Sequence, residues 1–196
     1  MWQEDDMTTR IDLKLATADR HEALDQAFSG FALTTLSGYS AFLTAHAAAL
    51  LPLEAHLAAA DVQRKVPDWA VRSRKAALLH DLAQLGLQVP AAIEIPAIDP
   101  EGLGGAVYIL EILRQSARSQ LRLVTSSADV RLQEAVRYLA EHQDLPLWNS
   151  YSAWLDEQDA ARFPALLTAA RQVTDVFLLA AQRHHPERAL ATMQAA

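Results

Sequence analysis

His21 is the one histidine whose helical neighbours are arranged around it. On a helix, residues three or four apart share a face, so Arg10, Lys14, Thr17, His21 and Asp25 or Leu24 fall on one stripe. Two cations precede the imidazole and a carboxylate follows one turn later. That set suits a histidine that binds the metal of a flat, negatively charged cofactor. The same spacing also describes an ordinary amphipathic helix with a surface histidine, and spacing by itself favours that plainer reading.

Other constellations are incomplete. His21-Glu22-Ala23-Leu24-Asp25 approaches the zinc-peptidase pattern, but Asp25 stands where the second imidazole is needed. No Glu-x-x-His occurs for a di-iron bundle, and no Gly-x-Ser-x-Gly elbow for a serine hydrolase. Gly102-Leu103-Gly104-Gly105 follows a proline-rich loop instead of a strand, so it is only a weak echo of a phosphate loop. His46 and His56 read as core or boundary residues. His80 reads as solvent-facing, and His142, His184 and His185 as cations in final helical turns.

The elements that position these residues follow from composition. The chain has 196 residues, 51% hydrophobic and rich in alanine and leucine, with only 6 glycines, which predicts a single all-α domain. The absence of cysteine excludes disulfides, thiolate catalysis and iron–sulfur ligation. A net charge of -7 argues against a nucleic-acid surface. An acidic N-terminal stretch, and an apolar run from Ala45 to Ala60 broken by His46, Pro52, Glu54 and His56, predict no secretion signal and no membrane span. A cytoplasmic location is the expectation.

Residues 1–8 read as a disordered lead, 9–183 as the helical domain and 184–196 as a tail. The first helix is expected over about 9–28. A second follows from a Ser37 cap through Pro52, and a third runs from Asp68-Trp69 to Leu85 with Arg72, Arg74 and Lys75 on a polar face. Gly86 is the expected left-handed stop, and the three-proline run to Pro100 is a loop. Asp99-Pro100-Glu101 then opens a fourth helix, to about Val124. A fifth helix ends near His142. The next, from about Leu145 to Asp156, carries Trp148, Tyr151 and Trp154, and the last spans about Ala160 to Arg183.

Leu15 through Asp25 resembles the proximal-helix motif of bacterial heme oxygenases, particularly those found with bacterial phytochromes. Further blocks match in order: Tyr39-Ser-Ala-Phe42-Leu43, Pro52-Leu53-Glu54, Trp69-Ala-Val-Arg72-Ser-Arg74, Asp81 to Leu87, Gly105-Ala-Val-Tyr108-Ile-Leu-Glu111, and Trp148 to Asp156. The resemblance spans about residues 11 to 183. It implies a multi-helical heme-oxygenase-like fold holding heme b between the first helix and the helix that begins near Gly102. By this match His21 is the axial iron ligand and Asp25 accepts from its other nitrogen. Lys14 and Thr17 border the cofactor, with Lys14 toward the propionates. The implied reaction is O2-dependent cleavage of heme to biliverdin, CO and iron, served by an electron donor such as a ferredoxin or reductase.

The distal helix departs from the family. After Tyr108 and Glu111, members continue Gly-Ser-x-Leu-Gly-Gly, whereas this chain reads Ile112, Leu113, Arg114, Gln115, Ser116, Ala117. A branched side chain stands where the backbone nearly touches the macrocycle, and Leu113 replaces a polar residue that orders distal water. The expectation is a straightened helix that either retreats from the heme or fills its pocket. The alternatives are a non-catalytic heme or tetrapyrrole binder, sensor or carrier, and a heme-free helical interaction domain.

Overall fold

The computed structural model describes residues 8–185; all but the last residue of the predicted lead, and most of the predicted tail, lie outside the described residues. The described chain is helical and, among the described residues, contains no strand, which bears out the all-α expectation. Three long helices make the frame: α3 (Leu36–Ala59), α6 (Leu103–Thr125) and α10 (Phe163–His184). α10 packs on both α3 and α6, and α1 (Thr9–Ala16) with α2 (Ala18–Ser29) lies along it.

Glycine decides how closely α6 and α10 approach. A Cβ on Gly105 would stand 1.8 Å from the carbonyl oxygen of Leu166, and one on Gly102 would stand 2.6 Å from that of Ala165. The glycine-rich first turn of α6 therefore serves helix crossing.

The apolar α3 is central, with both ends of its sequence pattern buried. Thr35 caps it, not Ser37: the Thr35 hydroxyl accepts from the Gly38 amide at 3.1 Å. Pro52 cannot donate to the carbonyl of Ala48, and the amide of Ile93 takes that acceptor at 2.8 Å. By length and composition α3 and the Ala160–His184 stretch are each long and apolar enough to cross a membrane, a test that buried core helices also pass. In this fold both are core helices.

Two predicted helices are split. The first breaks at Thr17, a fully buried residue whose hydroxyl donates to the Leu13 carbonyl at 2.6 Å. The third becomes α4 (Trp69–Arg72) and α5 (Lys75–Gln84) because the buried Glu54 carboxylate accepts from the Ser73 hydroxyl and from the Arg74 amide at 2.8 Å. A carboxylate from α3 thus serves the start of α5. Gly86 follows with φ 68°, the left-handed stop expected. Asp99 caps the next turn through the Glu101 amide at 2.8 Å, also as expected.

The predicted fifth helix is two short ones, α7 (Val130–Glu134) and α8 (Arg137–Ala140). His142 lies beyond α8 with φ 53°, outside any helix. α9 (Leu147–Asp156) then leads through a 3-10 turn at Ala160–Arg162 into α10.

Candidate functional site

Two separate cavities lie beside α6. One, of about 410 Å³, is lined by Arg10, Ile11, Lys14 and Leu15 of α1, His21 of α2, Tyr108, Ile112 and Gln115 of α6, and Trp148 of α9. The other, of about 430 Å³, is bordered by Asp25, Phe28, Phe31, Ser116, Ser119 and Leu123. The alternation follows helical spacing: Tyr108, Ile112 and Ser116 form one row on α6, and His21, Asp25 and Phe28 form its counterpart on α2.

His21 is half-buried on the cavity wall. Its Nε2 lies 3.2 Å from the Thr17 hydroxyl, and its ring centroid is 5.5 Å from that of Tyr108. Burial raises the pKa of the Tyr108 phenol above its ordinary value, offset in part by the Thr17 side chain. Burial lowers the His21 pKa below its ordinary value of 6.5, opposed by Asp25 and Asp19 and assisted by Lys14. The imidazole is therefore neutral at neutral pH, with a nitrogen lone pair to offer.

The structure brings His21, Lys14, Tyr108 and Ile112 to one cavity, with Thr17 touching the imidazole beneath it. Asp25 and Ser116 border the neighbouring cavity. The bond that His21 makes is to Thr17; Asp25 acts on it through its charge. Arg10 reaches across to α9, where its Nε meets the Asp156 carboxylate at 3.3 Å and its amide donates to the same group at 2.9 Å.

Glu111, Leu113 and Ala117 turn away from His21. Leu113 and Ala117 belong to the core. Glu111 is buried, accepts from Arg114 Nε at 3.4 Å and forms an ion pair with Arg72, whose Nη1 lies 3.1 Å away without hydrogen-bonding to it. Arg114 also donates from Nη1 to the Glu141 carbonyl at 3.1 Å and from Nη2 to the Arg72 carbonyl at 2.5 Å. Arg72 donates to the carbonyls of Pro67 and Leu147 at 2.7 and 3.0 Å. Arg74 is buried over the Tyr138 ring, its guanidinium carbon 4.6 Å from the centroid. The predicted polar face of Arg72 and Arg74 is thus corrected: their partners come from α6, α8 and α9, far away in sequence.

Sequence reasoning missed Trp148 and Gln115 as walls of the His21 cavity. The spacing of Trp148, Tyr151 and Trp154 assigns them to one face of α9, but it carries no information on which helix that face meets. His46 is a core residue, bonded through Nδ1 to the Tyr138 hydroxyl at 2.7 Å. His80 lies beside the Asp81 carboxylate at 3.2 Å.

Among the described residues no three histidine, aspartate or glutamate side chains converge on a point where they could hold a metal ion. A lone neutral imidazole suits a metal that arrives with its own equatorial donors. Compared with protein-family models and with curated proteins, the chain finds no match.

Proposed function

We propose that this chain binds heme b at the cavity lined by His21, with His21 as the axial ligand, in the manner of the heme oxygenases its motifs resemble. The observation that carries this reading is the half-buried His21 imidazole on the wall of a cavity that Lys14 and Arg10 also line. A single imidazole matches the one axial bond a metalloporphyrin requires of a protein. Two nearby cations match its two carboxylates. Ile11, Leu15, Ile112 and Trp148 supply apolar walls, and the size of each cavity is within the range of small-molecule sites.

When bound, heme supplies an iron centre for O2 or other small ligands. The chain's own contributions are orientation and exclusion. His21 would hold the iron once its nitrogen leaves the Thr17 hydroxyl, and Lys14, on the same cavity wall, would pair with a carboxylate.

A second reading is favoured by Ile112. It lines the His21 cavity, and α6 runs as one helix from Leu103 to Thr125, so the near face carries side chain where the resembled family has glycine. This favours a heme or tetrapyrrole binder without oxygenase turnover. Oxygenase activity would further require an electron donor such as a ferredoxin or reductase.

Heme titration tests the binding. A Soret band that forms with the wild type and shifts or weakens in His21→Ala is the expected result; no spectral change in either protein removes the proposal. Reducing the loaded protein under air separates the two readings. Persistent heme supports the binder, and joint appearance of biliverdin and CO supports the oxygenase.

A further inference from the structure

Gln115 and Trp148 line another cavity besides that of His21. It measures about 350 Å³, and its other walls come from Glu111, Arg114 and Arg118 of α6, the start of α9 and the connection between α8 and α9. Two guanidinium groups pin that connection onto α6. Arg114 Nη1 donates to the Glu141 carbonyl and Arg118 Nη2 to the Gln143 carbonyl, each at 3.1 Å. The Gln143 side-chain amide in turn donates to the Leu139 carbonyl at 2.9 Å. The wall is therefore fixed before any ligand arrives.

Glu111 carries the observation that points to a ligand. Its carboxylate is buried, Oε1 accepts from Arg114 Nε at 3.4 Å, and Oε2 has no hydrogen-bond donor among the described residues. A buried carboxylate oxygen without a donor is uncommon and costly, and on a cavity wall it selects for a donor brought by a ligand. The guanidiniums beside it select for the opposite group. Arg114 uses three of its five N–H groups, on Glu111, Glu141 and Arg72, and Arg118 is exposed at the cavity edge.

We propose that this cavity binds an apolar α-amino acid, its ammonium donating to Glu111 Oε2 and its carboxylate accepting from Arg114 and Arg118. A plain anion would meet the Glu111 carboxylate, and a plain cation would meet the two guanidiniums. A zwitterion satisfies both and leaves the buried charge balance unchanged. Glu111 and Arg114 are bonded to each other, so the two charged groups of the ligand must also be neighbours, as they are on an α-amino acid. Leu145, Leu147 and the half-buried Trp148 supply an apolar wall for its side chain. The volume lies near the lower end of the range for small-molecule sites, roughly 300–1,000 Å³, which suits a ligand of that size. The site needs no metal or cofactor, so it stands apart from the heme reading.

Titration of the full chain with L-phenylalanine and L-leucine tests the site, followed by calorimetry and by the indole N–H resonances. The expected result is saturable binding that moves the Trp148 resonance, identified by its loss in Trp148→Phe. Arg118→Gln, at an exposed position, should weaken binding about tenfold, the worth of one charge-assisted hydrogen bond. Hydrocinnamate lacks the ammonium and phenethylamine lacks the carboxylate. Each should bind the wild type at least about tenfold more weakly than L-phenylalanine. The proposal is overturned if neither amino acid binds saturably, if only other indoles respond, or if Arg118→Gln leaves the affinity unchanged. An analogue that binds as tightly as L-phenylalanine also overturns it. The analogue series uses the wild type alone, so it decides the matter even if a variant fails to fold.

Discussion

The two faces of α6 are built on opposite terms. One face is closed by ion pairs: Glu111 and Arg114 sit in a buried network whose donors reach the carbonyls of Arg72 and Glu141, although both residues also border a cavity of about 350 Å³. The other face is open: Tyr108, Ile112, Gln115, Ser116 and Ser119 border cavities against α1 and α2. The closed face fixes where the helix lies, and the open face is thereby released from structural duty. A cleft with loose packing on one side of a rigidly held helix is the arrangement expected of a binding site, where preorganisation comes from behind.

The largest test of this contrast is removal of Glu111. Glu111→Ala leaves Arg72 and Arg114 buried without their carboxylate and should cost about 3–5 kcal/mol in chemical denaturation. A loss below ~1 kcal/mol would show that the closed face is not what holds α6. Gly105→Ala probes the contact with α10. With a Cβ 1.8 Å from a backbone oxygen, the helices must separate, and overpacking of this kind costs about 1–3 kcal/mol. Unchanged thermal stability in that variant would mean that the crossing is soft.

Acidification sharpens the contrast between the two buried-side histidines. His46 is held well below the ordinary value of 6.5, first by burial and then by the Arg74 charge. Its folded pKa is depressed, so the unfolded chain binds the extra proton. Stability is then complete above about pH 6.5 and falls as pH drops toward the folded value, by about 1.4 kcal/mol per pH unit for one site. His46→Phe should flatten that slope in urea midpoints measured between pH 7 and 5. His21, also lowered but half-exposed, should contribute a smaller share of the same sign. The smallest effect is expected at Gln115, which is exposed on the open face. Gln115→Ala should stay within about 0.5 kcal/mol of the wild type. A greater loss would show that the cleft wall carries structural load.

What the sequence made legible was whatever local chemistry decides. Apolar spacing together with cap and breaker residues placed α3, α6 and α10. Gly86 and Asp99 marked a helix stop and a cap, because a left-handed residue and a short acceptor act within one turn. The His21 stripe was legible as far as Lys14, since both residues lie near one break in one segment. The breaks themselves were not. Ser73 and Arg74 leave the helix for a carboxylate on α3, and Arg72 and Arg74 are inside because their partners arrive from α6 and beyond. A side chain of either charge looks solvent-facing in a periodic pattern until its distant partner is known. The cavity wall at Trp148 was hidden for the same reason: helical spacing tells which residues share a face, and tertiary packing decides what that face sees.

Pro52 has a consequence for a part of the chain remote from the cleft. By leaving the Ala48 carbonyl without its helical donor, it creates a mooring point inside the core, and Ile93 ties the long Gly86–Asp99 connection to it near the middle. One wide arc becomes two short ones. Each arc closes between fixed ends, so the connection behaves as a pair of tight spans whose closure entropies are separate. Added residues on either span lengthen that span alone, whereas a residue removed from either draws directly on the mooring. A proline that weakens its own helix thus sets the length tolerance of a loop on the other side of the sequence gap.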